Sequence, residues 1–296
     1  MTDMRTGISI IIPARNEEEG LGRLLPLLKD RYPDAQIIVV NDGSTDGTAD
    51  ICKQYNITQI SHPYSMGNGA AIKAGVRAAK KDIIVFMDAD GQHDVNDIDR
   101  MTEKLNQGYE MVIGARSLDS HASLPRRYAN QIYNKLASFM TGYDILDLTS
   151  GFRVAKRDKF IKFLYLLPNG FSYPTTSTMA FFRSGYAVGY IDIKAGSREG
   201  KSHINVFKDG IRFFIIILKI GALFSPMRLF LPISSLLFMT GIAYYLYTYL
   251  VFGRFTNMSA LIILASLITF LMGIMAEFVT SLHYKDIEEI NSNINR

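Results

Sequence analysis

The 296-residue chain has a single cysteine, Cys52, no tryptophan and only five histidines. One thiol excludes an intramolecular disulfide framework and any zinc cluster built on cysteine. The histidines are scattered and form no H-E-x-x-H pair, which argues against a zinc hydrolase. A secretory signal is also missing. Met1 to Gly7 is polar and Ile8 to Pro13 is too short for an apolar signal core, so the start of the chain reads as cytosolic. Charge is sparse: 20% of residues are charged and 48% hydrophobic, with a mean hydropathy of +0.09. That composition excludes a disordered chain and leaves room for one large domain or two modest ones.

The charge is unevenly spread. Residues 1–110 carry 12 basic and 17 acidic side chains, residues 111–210 carry 14 and 7, and residues 211–296 carry 6 and 4. An acidic first part beside a basic second part suggests a metal-binding side facing an anion-binding side. Two ordinary solvated faces would give the same balance.

The last third differs in kind. Leu229 to Gly253 and Phe255 to Ala276 contain no charged residue, and only Arg254 separates them. Each run exceeds the roughly 20 residues that a helix needs to cross a bilayer, so the sequence predicts a transmembrane hairpin over 227–282. Lys208, Arg212, Lys219 and Arg228 precede it, Arg254 sits in its turn, and Lys285 and Arg296 follow. This bias places both termini, and a tail at 283–296, in the cytosol. Tyr244, Tyr245, Tyr247 and Tyr249 suit an interfacial aromatic belt. Residues 208–226, apolar but carrying basic side chains, read as a helix lying on the membrane face rather than as a third span.

Before this region the pattern is α/β. Short buried-strand runs at Ile8–Pro13, Gln36–Val40, Ile57–Ile60, Asp82–Met87, Met111–Gly114 and Ala187–Ile193 alternate with amphipathic helices, which indicates a mostly parallel sheet. Ligands of such sheets bind beyond the carboxyl ends of the strands, where Asn16, Asp42, Asp88, Asp90 and Arg116 fall.

Asp88-Ala-Asp90-Gly-Gln92 directly follows a strand, and residues i and i+2 of an extended segment project to one side. Two carboxylates without Cys or His neighbours suit a hard cation such as Mg²⁺ or Mn²⁺, open to phosphate oxygens. A turn rich in helix-capping acids is the plainer explanation, since Asp94, Asp97 and Asp99 follow. Asp42, in Asn-Asp-Gly-Ser, could accept hydrogen bonds from a base or ribose, or simply form an Asp-Gly turn. Two glycine patterns fail. Ile72 occupies the third position of a G-x-G-x-x-G after Gly67, and Gly196–Ser202 is one residue short of a P-loop. Arg116, Arg126, Arg127, Arg153, Arg198 and Lys201 could clamp phosphate around one cleft, although any one of them alone reads as a solvated surface residue.

Pro13-Ala-Arg-Asn-Glu17, Asn41-Asp-Gly-Ser44, Asp88-Ala-Asp-Gly-Gln92, Gly114-Ala-Arg116, Ser150-Gly-Phe-Arg153 and Arg198-Glu-Gly-Lys-Ser202 occur in this order. Together they resemble the family 2 GT-A glycosyltransferases, and more narrowly their polyprenyl-phosphate branch, typified by dolichol-phosphate mannose synthase. The resemblance covers about residues 7 to 210. It implies a GT-A nucleotide-diphospho-sugar transferase domain over 1–207 with the transmembrane hairpin behind it. It implies that Pro13, Arg15, Glu17, Val40 and Asp42 line the nucleotide pocket, with Asp88 and Ala89 along the ribose and diphosphate. Asp90 and Gln92 would ligate Mg²⁺ or Mn²⁺. Arg116 and one of Arg126 or Arg127 would meet the acceptor phosphate, while Arg198, Lys201 and Ser202 would close over the donor pyrophosphate or the acceptor. Asp88, Asp90, Arg116 and Arg127 would carry the catalysis.

The implied reaction is inverting transfer of a sugar from a nucleotide-diphospho-sugar, GDP-mannose or UDP-glucose, to a dolichyl or undecaprenyl phosphate. It would take place at the cytosolic face of a prokaryotic plasma membrane or the endoplasmic reticulum, with a bilayer and no nucleic acid as partner, and with homo-oligomerisation left open. Arg15 stands where the mannose synthases often carry tyrosine, and Asn41 replaces a frequent acid, so the resemblance leaves the nucleotide open. The processive polysaccharide synthases need a Q-x-x-R-W motif, and this chain has no tryptophan. Two other readings of the sequence are a transferase acting on another lipid acceptor and an inactive nucleotide-sugar binding subunit.

Overall fold

The computed structural model describes residues 7–116, 124–170, 172–194, 214–215, 218–219, 221–223 and 225–294, with side chains described outside 124–129 and 283–294. By contacts the chain divides into two compact units, one of 1–135 and 144–211 and the other of 136–143 and 212–296.

The first unit is built on a seven-stranded sheet. Its strands are β1 (Ile8–Ala14), β2 (Gln36–Asn41), β3 (Thr58–Ser61), β4 (Ile83–Phe86), β5 (Met111–Arg116), β6 (Arg153–Lys156) and β7 (Val188–Ile193), in the order β3-β2-β1-β4-β6-β5-β7. All pairings are parallel except those of β6, which lies antiparallel to both β4 and β5. Ile8, Ile10, Ile11 and Ile12 of β1 are all buried. A continuous apolar run of this kind is what a strand covered on both faces requires, and burying each such side chain contributes about 1.5–3 kcal/mol.

Helices α1 (Glu18–Arg31), α2 (Thr48–Gln54), α3 (Asn68–Ala78), α4 (Asp97–Asn106), α5 (Leu124–Thr141), α6 (Arg157–Phe160) and α7 (Tyr173–Arg183) connect the strands. Leu21, Leu24, Leu25 and Leu28 form the buried stripe of α1 at helical spacing. Gly75 lets α3 approach the sheet closely, since a methyl there would collide with Ile11 of β1.

The strands read from the sequence are all present, within a residue or two at each end. The α/β assignment with a mostly parallel sheet holds, and the element missing from that reading is β6. Arg-Val-Ala-Lys is too short and too charged to register as a buried strand, yet it fills the gap between β4 and β5.

In the second unit the helices Pro226–Phe252 and Asn257–Ile294 form a hairpin. Pro226–Phe252 and Asn257–Leu282 are each long and apolar enough to cross a membrane, with mean hydropathies of 1.7 and 2.4. Gly253 turns the chain in a left-handed conformation (φ +63°). The two helices meet at small residues: a methyl at Gly241 would stand 2.8 Å from Ile263, and one at Gly273 would stand 2.8 Å from Phe230. Between them Ser266 Oγ donates to the Ser234 carbonyl at 2.8 Å. Glu277 accepts from the Met227 amide at 3.3 Å, satisfying an orphan donor in the first turn of the opposite helix. Of the helix expected over 208–226, residues 214–215, 218–219 and 221–223 are helical and the remainder of 208–224 lies outside the described residues.

Candidate active site

Because β1, β2, β4 and β5 point the same way, the segments leaving them gather on one edge of the sheet. The antiparallel β6 starts on that edge too, with Arg153 opposite Phe86, so residues 147–152 join the group. The first two loops are laced together. Asn16, in left-handed conformation (φ 55°), accepts from the Thr45 amide at 2.8 Å, and its own amide donates to Ser44 Oγ at 3.0 Å. The Glu17 amide donates to Thr48 Oγ1 at 3.1 Å and the Gly47 amide to Glu18 at 3.0 Å. Pro13 and Glu17 are half-buried here and Arg15 is exposed. Val40, expected on a wall of the nucleotide pocket, is fully buried inside the sheet.

Asp42 is also buried, and both its oxygens are engaged. One meets His62 Nδ1 at 2.7 Å and accepts from the Met66 amide at 2.8 Å, and the other accepts from Ser65 Oγ at 2.8 Å and the Gly67 amide at 2.9 Å. Two carboxylate oxygens offer about four lone-pair directions, and four partners fill them. Burial pushes the carboxyl up. The hydrogen bonds from His62, the Met66 and Gly67 amides and Ser65 outweigh it and bring the pKa down to about 2. Asp42 thus organises the loop 62–67.

At the end of β4, Asp88 and Asp90 flank a buried Ala89, and Gly91 turns the chain at φ +72°. Asp90 accepts from the Gln92 amide at 3.2 Å. Gly20 of α1 lies directly over the Ala89 carbonyl, so close that a methyl group there would collide with it. Ala89, expected along the ribose and diphosphate, is thus covered on its carbonyl side. The Asp88 side chain is 43% exposed and faces Gly151, where an added methyl would stand 3.0 Å from its Oδ2. His93 stands 3.7 Å from Asp88 by Nε2 and stacks on Phe152 at 4.7 Å, and its buried Nδ1 has no hydrogen-bond partner among the described residues.

The donors offered by Asp88, Asp90 and Gln92 are carboxylate and amide oxygens, the set a hard divalent cation prefers. Among the described residues no group of three His, Cys, Asp or Glu side chains could cage a metal. These residues therefore fit an ion that takes its remaining ligands from a bound diphosphate or from water.

Arg116 ends β5 in a fork-to-fork pair with Asp147. Its Nε donates to Oδ2 at 2.8 Å and Nη2 to Oδ1 at 3.0 Å, while Nη2 also donates to Thr149 Oγ1 at 2.6 Å. Asp147 accepts the Thr149 and Ser150 amides as well, at 3.0 Å each. Burial raises its carboxyl pKa, but the Arg116 hydrogen bonds and charge, followed by the Arg116 and Thr149 amides, hold it below the ordinary range. Burial likewise lowers the Arg116 guanidinium, and Asp147 more than compensates. The sequence reading missed Asp147, whose only signal was an acid two residues before Thr149-Ser150.

Arg153 is neither the solvated surface residue nor the open phosphate contact that the sequence offered. It is fully buried, donating to the carbonyls of Ser150 and Pro174 and to Ser177 and Thr178. Its guanidinium lies 5.7 Å over the Tyr173 ring. Burial lowers its pKa, and no phosphate can reach it. Tyr173 in turn donates to the Gly151 carbonyl at 2.9 Å. Arg153 and Tyr173 thus brace the turn that faces Asp88. Arg126 and Arg127 lie on α5, with their side chains outside the described residues, as are Arg198, Lys201 and Ser202.

Comparison with known proteins bears on this arrangement. The model of glycosyl transferase family 2 matches residues 9–164, and that of the GtrB C-terminal hairpin matches 225–282. An uncharacterized protein of Methanocaldococcus jannaschii is 36% identical over 49% of this chain, and the match spans 63% of that relative, less than two thirds of its length. A dolichyl-phosphate hexose transferase of Haloferax volcanii is 27% identical over 69% of this chain and 89% of its own. Among solved structures, glucosyl-3-phosphoglycerate synthase from Mycobacterium tuberculosis, in complex with Mn²⁺, UDP and glucosyl-3-phosphoglycerate, superposes with a TM-score of 0.60. It is 19% identical, with 72% of this chain and 79% of that chain covered, a likeness of fold alone. The family model spans more than half of the chain and includes the strand ends that carry Asp42, Asp88, Asp90 and Arg116. The chain belongs to glycosyl transferase family 2, a glycosyltransferase of GT-A fold followed by a GtrB-type hairpin.

Proposed function

We propose that this enzyme transfers a sugar from a nucleotide-diphospho-sugar to a polyprenyl phosphate, with inversion, at the cytosolic face of a membrane that its hairpin crosses. The observation that carries this reading is one sheet edge with hard oxygen donors at the end of β4 and a guanidinium, braced by Asp147, at the end of β5. The hairpin model at 225–282 and the relative named dolichyl-phosphate hexose transferase support the choice of acceptor. The first two loops would hold the nucleoside, with Pro13, Arg15 and Glu17 on the exposed side and Asp42 fixing the 62–67 lip.

Asp90 and Gln92 would hold Mg²⁺ or Mn²⁺ beside the diphosphate, with Asp88 along the ribose and diphosphate, and the ion would supply charge neutralisation for the leaving group. Arg116 presents a guanidinium whose orientation is set before any anion arrives, so little reorganisation is left for the reaction itself. Arg126 or Arg127, with Arg198, Lys201 and Ser202, would complete the phosphate contacts. The attacking phosphate oxygen is already ionised at neutral pH, so no strong general base is required, and direct displacement inverts the anomeric carbon.

The test incubates full-length enzyme with Mg²⁺ or Mn²⁺, a polyprenyl phosphate and a panel of nucleotide sugars, scoring nucleoside diphosphate release and glycolipid. Metal-dependent glycolipid from one donor is expected, and it fixes the sugar. Asp90→Asn should lower turnover about 100-fold or more, the scale on which loss of one group stabilising the transition state acts. Full activity in that variant overturns the metal assignment, while donor hydrolysis without glycolipid overturns the acceptor.

A further inference from the structure

One buried side chain at the sheet edge has no part in the chemistry described so far. His93 directly follows Asp88-Ala-Asp90-Gly-Gln92, and the turn at Gly91 (φ +72°) brings it back beside Asp88. Its side chain is only 6% exposed. The imidazole lies on the Phe152 ring at a centroid distance of 4.7 Å and an interplanar angle of 21°. Nε2 stands 3.7 Å from Asp88 Oδ2, and Nδ1 is buried with no hydrogen-bond partner among the described residues. Packing alone does not account for a histidine here. A phenylalanine would stack on Phe152 equally well and would carry no polar atom into the interior. The orphaned Nδ1 is a cost, because a buried polar atom gives up its hydration without a bond in return. What the imidazole adds to a phenyl ring is Nε2, and that atom faces the carboxylate. The proton then belongs on Nε2, where it has an acceptor, rather than on Nδ1, where it has none.

Asp88 is confined by backbone as well. A methyl on Gly151 would stand 3.0 Å from its Oδ2 and 3.3 Å from its Oδ1, and Tyr173 fixes that turn by donating to the Gly151 carbonyl at 2.9 Å. The carboxylate thus lies against a braced turn and beside a buried N–H, with 43% of its side chain left open. We propose that His93 is the positioning residue for Asp88: its Nε2–H holds Oδ2, so that Oδ1 is presented to the ribose and diphosphate of the donor. This rests on the placement of Asp88 along that ligand. A separation of 3.7 Å is longer than a hydrogen bond, and contacts of this kind tighten when the ligand is bound. An interaction made with the donor in ground state and transition state alike strengthens binding and leaves kcat unchanged.

The test titrates full-length enzyme in detergent with UDP and with GDP at saturating Mn²⁺, by calorimetry, and records the thermal midpoint of each variant. His93→Phe keeps the stack and loses the N–H, His93→Leu loses both, and His93→Gln keeps an N–H near the place of Nε2. For the nucleotide that wild type binds, Phe and Leu should each raise the Kd about tenfold, the scale of one hydrogen bond to a charged group, while Gln stays within about threefold. The Phe variant should melt no lower than wild type, because it removes the orphaned Nδ1. In transfer assays the donor KM should follow the Kd, with kcat and the acceptor KM within about twofold of wild type. Wild-type affinity in the Phe variant reduces His93 to packing and overturns the proposal. Equal loss in all three variants overturns it too, as does a change confined to the Mn²⁺ concentration required, which would assign His93 to the metal through Gln92. If the Phe variant does not fold, the ratio between Leu and Gln carries the same decision. Wild type binding neither nucleotide overturns the placement of Asp88 itself, and the proposal with it.

Discussion

Arg153 shows how the same residue type can serve opposite ends. In the sequence it is one of six basic residues that could clamp phosphate together, yet the side chain runs inward and satisfies two carbonyls and two hydroxyls. Arg153→Lys should therefore destabilise the protein by about 2 kcal/mol, because one ammonium group cannot span the Ser150 carbonyl and the α7 hydroxyls together and leaves buried acceptors unpaired. The check is a denaturant melt of the purified variant beside the acceptor KM of its surviving activity. A lower midpoint with unchanged KM is expected, and the reverse pattern would restore Arg153 to the phosphate site. Asp42 gives a pH signature. Its folded pKa of about 2 lies below the ordinary 3.8, so its contribution is complete above about pH 4 and disappears as the pH falls through 2. Asp42→Asn should cost about 2 kcal/mol at pH 7 and almost nothing near pH 2, as read from unfolding curves at the two pH values.

At the scale of elements, legibility followed periodicity. Strands β1, β2 and β4 are short apolar runs bounded by turn residues, and the helices between them carry one apolar stripe, so pattern alone located them. Strand β6 has no such pattern, because its identity comes from a slot that only the folded sheet creates. The hairpin was legible from length and hydropathy, but its internal contacts were not. Gly241 and Gly273 are not spaced as a G-x-x-x-G face. In the structure each is a crossing point between the two helices, against Ile263 and against Phe230 with Met227. In a bilayer such contacts depend on close packing more than on water exclusion. Gly273→Leu should therefore force the helices apart and cost about 1–3 kcal/mol, the usual price of overpacking. Gly253→Asn, in a turn where asparagine tolerates positive φ, should be nearly silent. Thermal aggregation of both variants in detergent separates the two outcomes. Equal stability would mean that the hairpin does not close at Gly273.

For the whole molecule, the sequence marked which residues gather at one edge of the sheet better than it marked what each touches there. Asp88, Asp90 and Arg116 follow strands and were placed by counting. The partners that define their roles, Asp147 for Arg116 and Gly151 for Asp88, come from a segment about 60 residues further on than Asp88, and β6 brings it back to the same edge. Charge acts over the longest range. Residues 1–110 carry five more acids than bases, while residues 111–210 carry seven more bases than acids. A donor whose diphosphate is neutralised by a divalent ion feels little of that field, whereas a bare lipid phosphate feels all of it. Raising salt from about 0.1 M to about 1 M shortens the screening length from about 10 Å to about 3 Å. In vesicles of neutral lipid, the KM for polyprenyl phosphate should then rise about fivefold or more, while the donor KM and kcat stay within about twofold. If both KM values rise together, the basic half serves donor and acceptor alike. If neither moves, recognition of the acceptor rests on short-range contacts that salt does not reach, and the charge asymmetry along the chain has no part in it.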